Sequence, residues 1–376
     1  LTLWFLIFLR SYRVVPGWIF RKGLLIGMLV FGVGIGIREL TTIDPNREVV
    51  HVYASLFSTM EKGQNPYTSL TIFHQAEFLK PVYGNFNYPP LEIYPYYLAY
   101  RIAGHWSSNL LTWTYVILHS LACLVFVLAF PNIKLRYLWP FFIVFVFMEI
   151  HINPAMTLLM TALILWAIKK SRERPRKGYR YLVAVLLGLG LMTKFLIIPL
   201  VAAYYANAFA SKERRKLPKI ALDAGITVAT ALIIMAPYGI APVFKNTILF
   251  NIILKDRAVL TTFFPNVLSG LMSWLKMSTL YPVFALVILA ASIWAAPKLN
   301  IYSAMLAAAF TFLLVAPTPR TQYLPSVLYI VVAGITAMFG ERGAIPAKVL
   351  RKPPHKDFTR PAGESGGGAH SRIDKD

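Results

Sequence analysis

Apolar runs separated by short basic clusters set the limits on what this chain can fold into. From residue 23 to residue 339, stretches rich in Leu, Ile, Val, Phe and Ala alternate with clusters such as Lys169-Lys170-Ser171-Arg172-Glu173-Arg174 and Ser211-Lys212-Glu213-Arg214-Arg215-Lys216. Lipid offers the backbone no hydrogen bonds, so each apolar segment must satisfy its own, and the pattern is that of a polytopic helical membrane protein. The charged fraction, 14%, is well below the roughly 25% of a soluble domain. A net charge of +22 would by itself suit a nucleic-acid partner. The basic residues, however, lie in the loops between spans, where the positive-inside rule places them, and no nucleic-acid partner is expected. The single cysteine, Cys123, excludes an intrachain disulfide. In the opening stretch, Leu1 to Arg13, the charges follow the apolar run, which is not the order of a cleavable signal peptide.

Sidedness follows from charge. Arg10, Arg13, Arg21 and Lys22 precede the first span, 23–37, so segment 1–22 is expected in the cytoplasm and 38–109 outside, as a first extracytoplasmic loop. This loop is acidic for this chain, with Glu39, Asp44, Glu48, Glu61 and Glu77. Val49, Val52, Tyr53, Leu56, Phe57 and Met60 recur at helical spacing opposite Glu48, His51, Ser55, Ser58 and Thr59, predicting an amphipathic interfacial helix. Gly63-Gln64-Asn65-Pro66-Tyr67 breaks it, and a second short helix is expected over 70–80. Residues 89–103 could form a span. Crossing there would put both dense basic loops outside, so an interfacial or re-entrant helix is expected instead, in keeping with Glu92, Arg101 and the tyrosines from Tyr83 to Tyr100. Further spans are expected at 110–130, 137–150, 155–168, 181–193, 195–209, 220–238, 280–296, 301–317 and 323–339, with an interfacial piece at 267–277. The fold class is an all-α polytopic membrane protein with about ten transmembrane helices, interfacial helices in the first loop and both termini cytoplasmic. The Pro/Gly-rich, charged tail, 341–376, is expected to be disordered.

Several runs hold only about fourteen residues, roughly 21 Å of helix, where a full crossing needs about twenty residues. Short helices that stop at His151, Asn153 and Lys194 on the outer side would surround an outward-open polar cavity. On this topology the outer face collects Glu39, Asp44, Asn65, Tyr67, Asn87, Tyr88, Glu149, His151, Asn153, Lys194, Arg320, Gln322 and Tyr323. Asp44 precedes Pro45, so it reads equally as a helix N-cap and as a general base held at the interface. Glu39 reads first as an interfacial charge. Lys194 has apolar neighbours on both sides, which costs on the order of 2.5–3.5 kcal/mol on insertion scales unless the ammonium snorkels or meets a partner such as phosphate. Arg320 is either solvated by its loop or a second such ligand. His151 and Asn153 either satisfy backbone at the Pro154 turn or serve the chemistry. No histidine spacing suits zinc, and no phosphate loop, GxGxxG or GxSxG occurs.

Asp44 just outside the first span, Lys62-Gly63-Gln64-Asn65-Pro66-Tyr67 and Asn87-Tyr88-Pro89-Pro90-Leu91 together resemble the GT-C superfamily of polyprenyl-phosphate-sugar-dependent glycosyltransferases. The bacterial polyprenol-phosphate-mannose mannosyltransferase type is the nearest in pattern. His151-Ile152-Asn153 stands where the family has a Gly-Gln-x-Asn turn, Thr193-Lys194 where it has Lys-Pro, and Thr318-Pro319-Arg320-Thr321-Gln322-Tyr323 resembles a late Ser-Pro…Tyr element. The resemblance implies an extracytoplasmic active site in the cell membrane and a lipid-linked sugar donor, with mannose or another hexose passed to a lipid or glycan acceptor. It implies Asp44 as the base of an inverting attack. Lys194, Arg320 and His151 would bind the donor phosphate, and Glu39, Asn65, Tyr67, Asn87, Tyr88, Asn153, Gln322 and Tyr323 would bind substrate. A monophosphate donor leaves no pyrophosphate for a divalent metal to neutralise, so neither metal nor cofactor is expected. A transporter or flippase of a lipid-linked or amphipathic solute is the competing class. The halves share no internal repeat, however, and the polar residues gather on one face.

The topology is directly testable. Single cysteines introduced at Ser171 and Ser69 should be labelled by a membrane-impermeant reagent from opposite sides. Labelling of both from one side would overturn the interfacial reading of 89–103.

Overall fold

A computed structural model describes residues 48–74, 82–130, 155–174, 176–194, 196–209, 217–249 and 281–315, with shorter stretches between 268 and 275 and between 326 and 334. The chain divides into a unit Leu1–Ala337, to which all of these belong, and a unit Met338–Asp376. The expected spans at 23–37 and 137–150 and the tail 341–376 lie outside the described residues.

In chain order the helices are α1 (Glu48–Glu61), the single turn α2 (Pro66–Ser69), α3 (Pro90–Ala103), α4 (Ser108–Ala129), α5 (Ala155–Glu173), α6 (Lys177–Leu191), α7 (Ile197–Phe209), α8 (Leu217–Met235), α9 (Ile240–Val243), α10 (Tyr281–Ala295) and α11 (Ile301–Val315). Six of the predicted spans coincide with α4, α5, α6, α7, α8 and α10, and a seventh with α11. Among the described residues, Ser108–Phe126 and Leu217–Tyr238 are long and apolar enough to cross a bilayer. Leu222, Val228 and Ile233 of α8 and Val283, Leu286 and Val287 of α10 are exposed, an apolar surface that water would not tolerate and lipid would.

The amphipathic reading of α1 holds. Val52, Tyr53, Leu56 and Phe57 are buried while His51, Ser55 and Ser58 are exposed. Thr59 differs. It is buried, its hydroxyl donating to the Ser55 carbonyl at 2.7 Å, so the helix itself satisfies the polar atom. A second helix was expected over 70–80, of which 75–80 lie outside the described residues. Thr71–His74 is instead a strand, paired antiparallel with Val82–Asn85 in the register Thr71↔Asn85 to His74↔Val82. Thr71, Ile72 and Phe73 are β-branched or aromatic, and a partner strand with Val82 and Tyr83 lets that preference prevail over the helical spacing. Helix α5 runs past the expected end at Ile168 to Glu173. Lys169 and Lys170 both pair with Glu173, at 3.4 and 3.1 Å, and Pro175 then bars a further turn.

Two apolar clusters organise the bundle. One joins α4, α5, α6, α7 and α11, with Phe126 of α4 stacked on Tyr329 at 4.2 Å between ring centroids. The other gathers α1, α2 and α3 over Leu111 at the start of α4, Ala155 at the start of α5, Met192 and the end of α8. At the opposite end, the Lys169 ammonium donates to the carbonyl of Ala129, the last residue of α4, at 2.5 Å. Helices α4 and α5 therefore run parallel, with the first loop at their starts and basic residues at their ends.

Helices α6 and α8 approach closely at Gly188, where an added Cβ would lie 2.4 Å from the Thr227 carbonyl oxygen. Gly188→Ala should therefore destabilise the protein by about 1–3 kcal/mol, read as a lowered melting temperature in detergent. Gly178→Ala, with nothing within 4 Å of the new Cβ, should leave it unchanged or slightly raised.

Candidate functional site

The turn between α6 and α7 carries Lys194, and the fold sets this turn against the first loop. The Leu91 amide at the start of α3 donates to the Met192 carbonyl at 3.0 Å. The Thr193 hydroxyl closes the turn by donating to the Gly190 carbonyl at 2.7 Å. Lys194 is 7% exposed, and its ammonium lies 4.2 Å from the centre of the Tyr88 ring, a cation–π contact in a desolvated setting. Two motifs far apart in sequence, Tyr88-Pro89-Pro90-Leu91 and Thr193-Lys194, thus form one structure.

The Asn65-Pro66-Tyr67 motif holds the first of these in place. Asn65 is the N-cap of α2, its side-chain oxygen accepting from the Tyr67 amide at 3.0 Å, with Pro66 at the first helical position, where a missing N–H costs nothing. The same side chain donates to the Tyr238 carbonyl at 2.6 Å, tying the loop to the end of α8. The Tyr67 hydroxyl donates to the Tyr88 carbonyl at 2.6 Å, and the Asn246 amide donates to the Tyr67 carbonyl at the same distance. Aromatic rings fill the remaining space. Tyr53 lies against Tyr88, Tyr96 and Trp106 at 6.3, 5.0 and 5.6 Å between centroids. The Trp106 indole donates to the Val50 carbonyl at 2.9 Å, and the Tyr100 hydroxyl donates to Glu61 at 2.6 Å, so α1 is joined to α3 at several points.

Of the residues expected at the site, Tyr67, Tyr88 and Lys194 are brought together, with Asn65 fastening them from α2. Asn87 is half-buried beside them in sequence. Glu39, Asp44, His151, Asn153, Arg320, Gln322 and Tyr323 lie outside the described residues. Among the described residues no cluster of His, Cys, Asp or Glu is arranged to hold a metal ion.

Sequence reasoning gave Glu92 no role beyond suiting an interface, and the fold gives it more prominence. It is completely buried in the first turn of α3, and neither carboxyl oxygen has a hydrogen-bond partner among the described residues. Burial pushes the carboxyl up to about 8, with the Lys194 ammonium drawing it part of the way back. The Tyr53 and Tyr96 hydroxyls, also buried here, are raised well above the ordinary tyrosine value by desolvation. An acidic residue two positions after a pair of prolines, inside an aromatic run, is the sign that the sequence offers. Tyr238 and Asn246, the far anchors of the loop, carried no comparable sign.

Residues 134–240 match the family model described as dolichyl-phosphate-mannose-protein mannosyltransferase. The match supports a GT-C superfamily glycosyltransferase, a membrane enzyme of the mannosyltransferase type. It takes in His151, Asn153 and Lys194, whereas the first-loop motifs and Arg320 fall outside it. No curated protein and no solved structure matches the chain.

The clamp on the first loop can be separated from the cap. Asn65→Asp keeps an oxygen to accept from Tyr67 but loses the donor to Tyr238, so it should cost about 1–3 kcal/mol although Asp caps as well as Asn. A melting temperature equal to wild type in detergent would show that the Tyr238 bond adds no stability.

Proposed function

We propose that the protein transfers a sugar, mannose or another hexose, from a polyprenyl-phosphate donor to a lipid or glycan acceptor on the extracytoplasmic face of the cell membrane. The observation that carries this reading is Lys194, a nearly buried cation lying within the family match and set against the first loop. An ammonium in that setting favours an anionic ligand, and a compact ammonium suits a phosphate oxygen.

In the mechanism that follows, Asp44 accepts the proton of the acceptor hydroxyl as that oxygen attacks the anomeric carbon from the face opposite the phosphate. The new glycosidic bond forms as the bond from the anomeric carbon to the phosphate oxygen breaks, with inversion. The polyprenyl phosphate departs carrying the bonding pair, and Lys194, with Arg320 and His151, offsets the negative charge that develops on it. Glu39, Asn65, Tyr67, Asn87, Tyr88, Asn153, Gln322 and Tyr323 form the surroundings in which sugar and acceptor are oriented. No divalent metal takes part, because the leaving group is a single phosphate.

The test is turnover of a radiolabelled polyprenyl-phosphate sugar by protein reconstituted in liposomes. Asp44→Asn preserves an N-cap but removes the base, so it should fold and lose about 10²–10⁴-fold in rate. Retained turnover in that variant would remove Asp44 from the mechanism. Wild-type protein that moves the intact donor across the bilayer without releasing polyprenyl phosphate would instead identify a flippase.

A further inference from the structure

A buried carboxyl normally has its hydrogen bonds supplied by the fold, and among the described residues that of Glu92 has none. A glutamate at the third position of a helix ordinarily reaches back to the amide of the N-cap residue. Here the N-cap is Pro89 and the first helical residue is Pro90, and neither has an amide hydrogen. The next amide, that of Leu91, is engaged by the Met192 carbonyl, and that of Glu92 itself by the Pro89 carbonyl at 3.1 Å. The local sequence has thus removed the donors that would hold this side chain as an ordinary cap. The bond from Leu91 to Met192 at the same time sets α3 beside the Lys194 turn, so among the described residues the charge acting on the orphaned carboxyl is the ammonium of the proposed donor site.

We propose that Glu92 competes with the donor phosphate for Lys194: protonated, it leaves the ammonium to the phosphate, and ionised, it takes the ammonium as its own counter-ion. This rests on the assignment of Lys194 to the donor phosphate and extends that site by one residue. Ionisation releases the carboxyl proton to solvent, and phosphate binding above the titration of Glu92 takes one proton back. Among the described residues, the other titratable groups around Glu92 and its neighbours are tyrosines. Tyr53 of α1 and Tyr96, one turn along α3, interact with it, Tyr88 from the segment before α3 interacts with both of these tyrosines, and Tyr115 of α4 interacts with Tyr96. Burial keeps the Tyr53 and Tyr96 phenols neutral throughout the range in which a carboxyl titrates. Below the Glu92 titration the site would present a cation and a neutral acid. Above it, the carboxylate and the ligand would both be anions sharing one ammonium.

The experiment uses the full chain in lipid nanodiscs and a short-chain prenyl phosphodiester of a hexose, whose single charge is constant from about pH 6.5 to about pH 9.5. Wild-type affinity should be level at the acid end and fall about tenfold per pH unit above the Glu92 titration, because binding there requires a proton. Glu92→Gln should bind with a level profile over the whole range. Lys194→Arg should keep the fall, since a guanidinium does not titrate here. That variant decides the question should Glu92→Gln fail to accumulate. A level wild-type profile, a wild-type slope in Glu92→Gln or a level profile in Lys194→Arg would each overturn the proposal. Lys194→Met separates the two claims. Unchanged affinity at the acid end would remove Lys194 from the donor site and take Glu92 with it. Weakened binding beside a level wild-type profile would refute the role of Glu92 alone.

Discussion

One backbone hydrogen bond, from the Leu91 amide to the Met192 carbonyl, joins the two halves of the candidate site. Prolines at 89 and 90 leave the start of α3 without its first donors, so Leu91 offers the first amide that could make such a bond. On its other side, α6 ends at Leu191 in a turn whose carbonyls need partners once the helix stops. Each segment supplies what the other lacks, and Lys194 is carried to the face of Tyr88 as a result.

This junction would be loose if α3 were free to move, and the aromatic layer beneath it prevents that. Tyr53 and Phe57 of α1 pack against rings from α3 and against Trp106, while Asn65 and Tyr67 bind the end of α8 and the segment before α3. Much of the polar content of the loop is used in these bonds and therefore costs little to bury. Among the described residues of the loop, the Glu92 carboxyl and the Tyr96 hydroxyl are the exceptions, both buried without a hydrogen-bond partner, and the carboxyl lies under the influence of the Lys194 charge. The rest of the bundle follows a different rule. Its outward faces are apolar because lipid, not water, is the solvent there, and its tight contacts rely on small residues such as Gly188.

The helices that coincide with seven of the expected spans were legible because apolar length and basic spacing are properties of each segment alone. The same holds for α1, where helical spacing and interfacial amphipathicity agree. Residues 71–74 were misread because strand formation there depends on Val82 and Tyr83, a partner that periodicity within one segment does not reveal. The end of α5 was placed too early because the basic cluster was treated as a loop, although Lys169 and Glu173 stabilise a further turn. Asn65, Tyr67, Tyr88 and Lys194, expected at the site from motif and cost of burial, lie close together in the fold. Glu92 reads from the sequence only as a charge that suits an interface, because its burial depends on how α3 packs against the rest of the chain, which the local sequence does not reveal.

The bond from Asn246 to Tyr67 spans 179 residues and that from Asn65 to Tyr238 spans 173, which makes the order of synthesis part of the assembly of the site. At about 5–20 residues per second, the first loop waits roughly 10–40 seconds before its anchors leave the ribosome. Through that interval the aromatic faces of α1 and α3 are covered by each other, by the parts of α4 and α5 already made and by the bilayer surface. Their mutual packing therefore acts as a holding arrangement, keeping the loop ordered until the second half of the chain arrives to lock it.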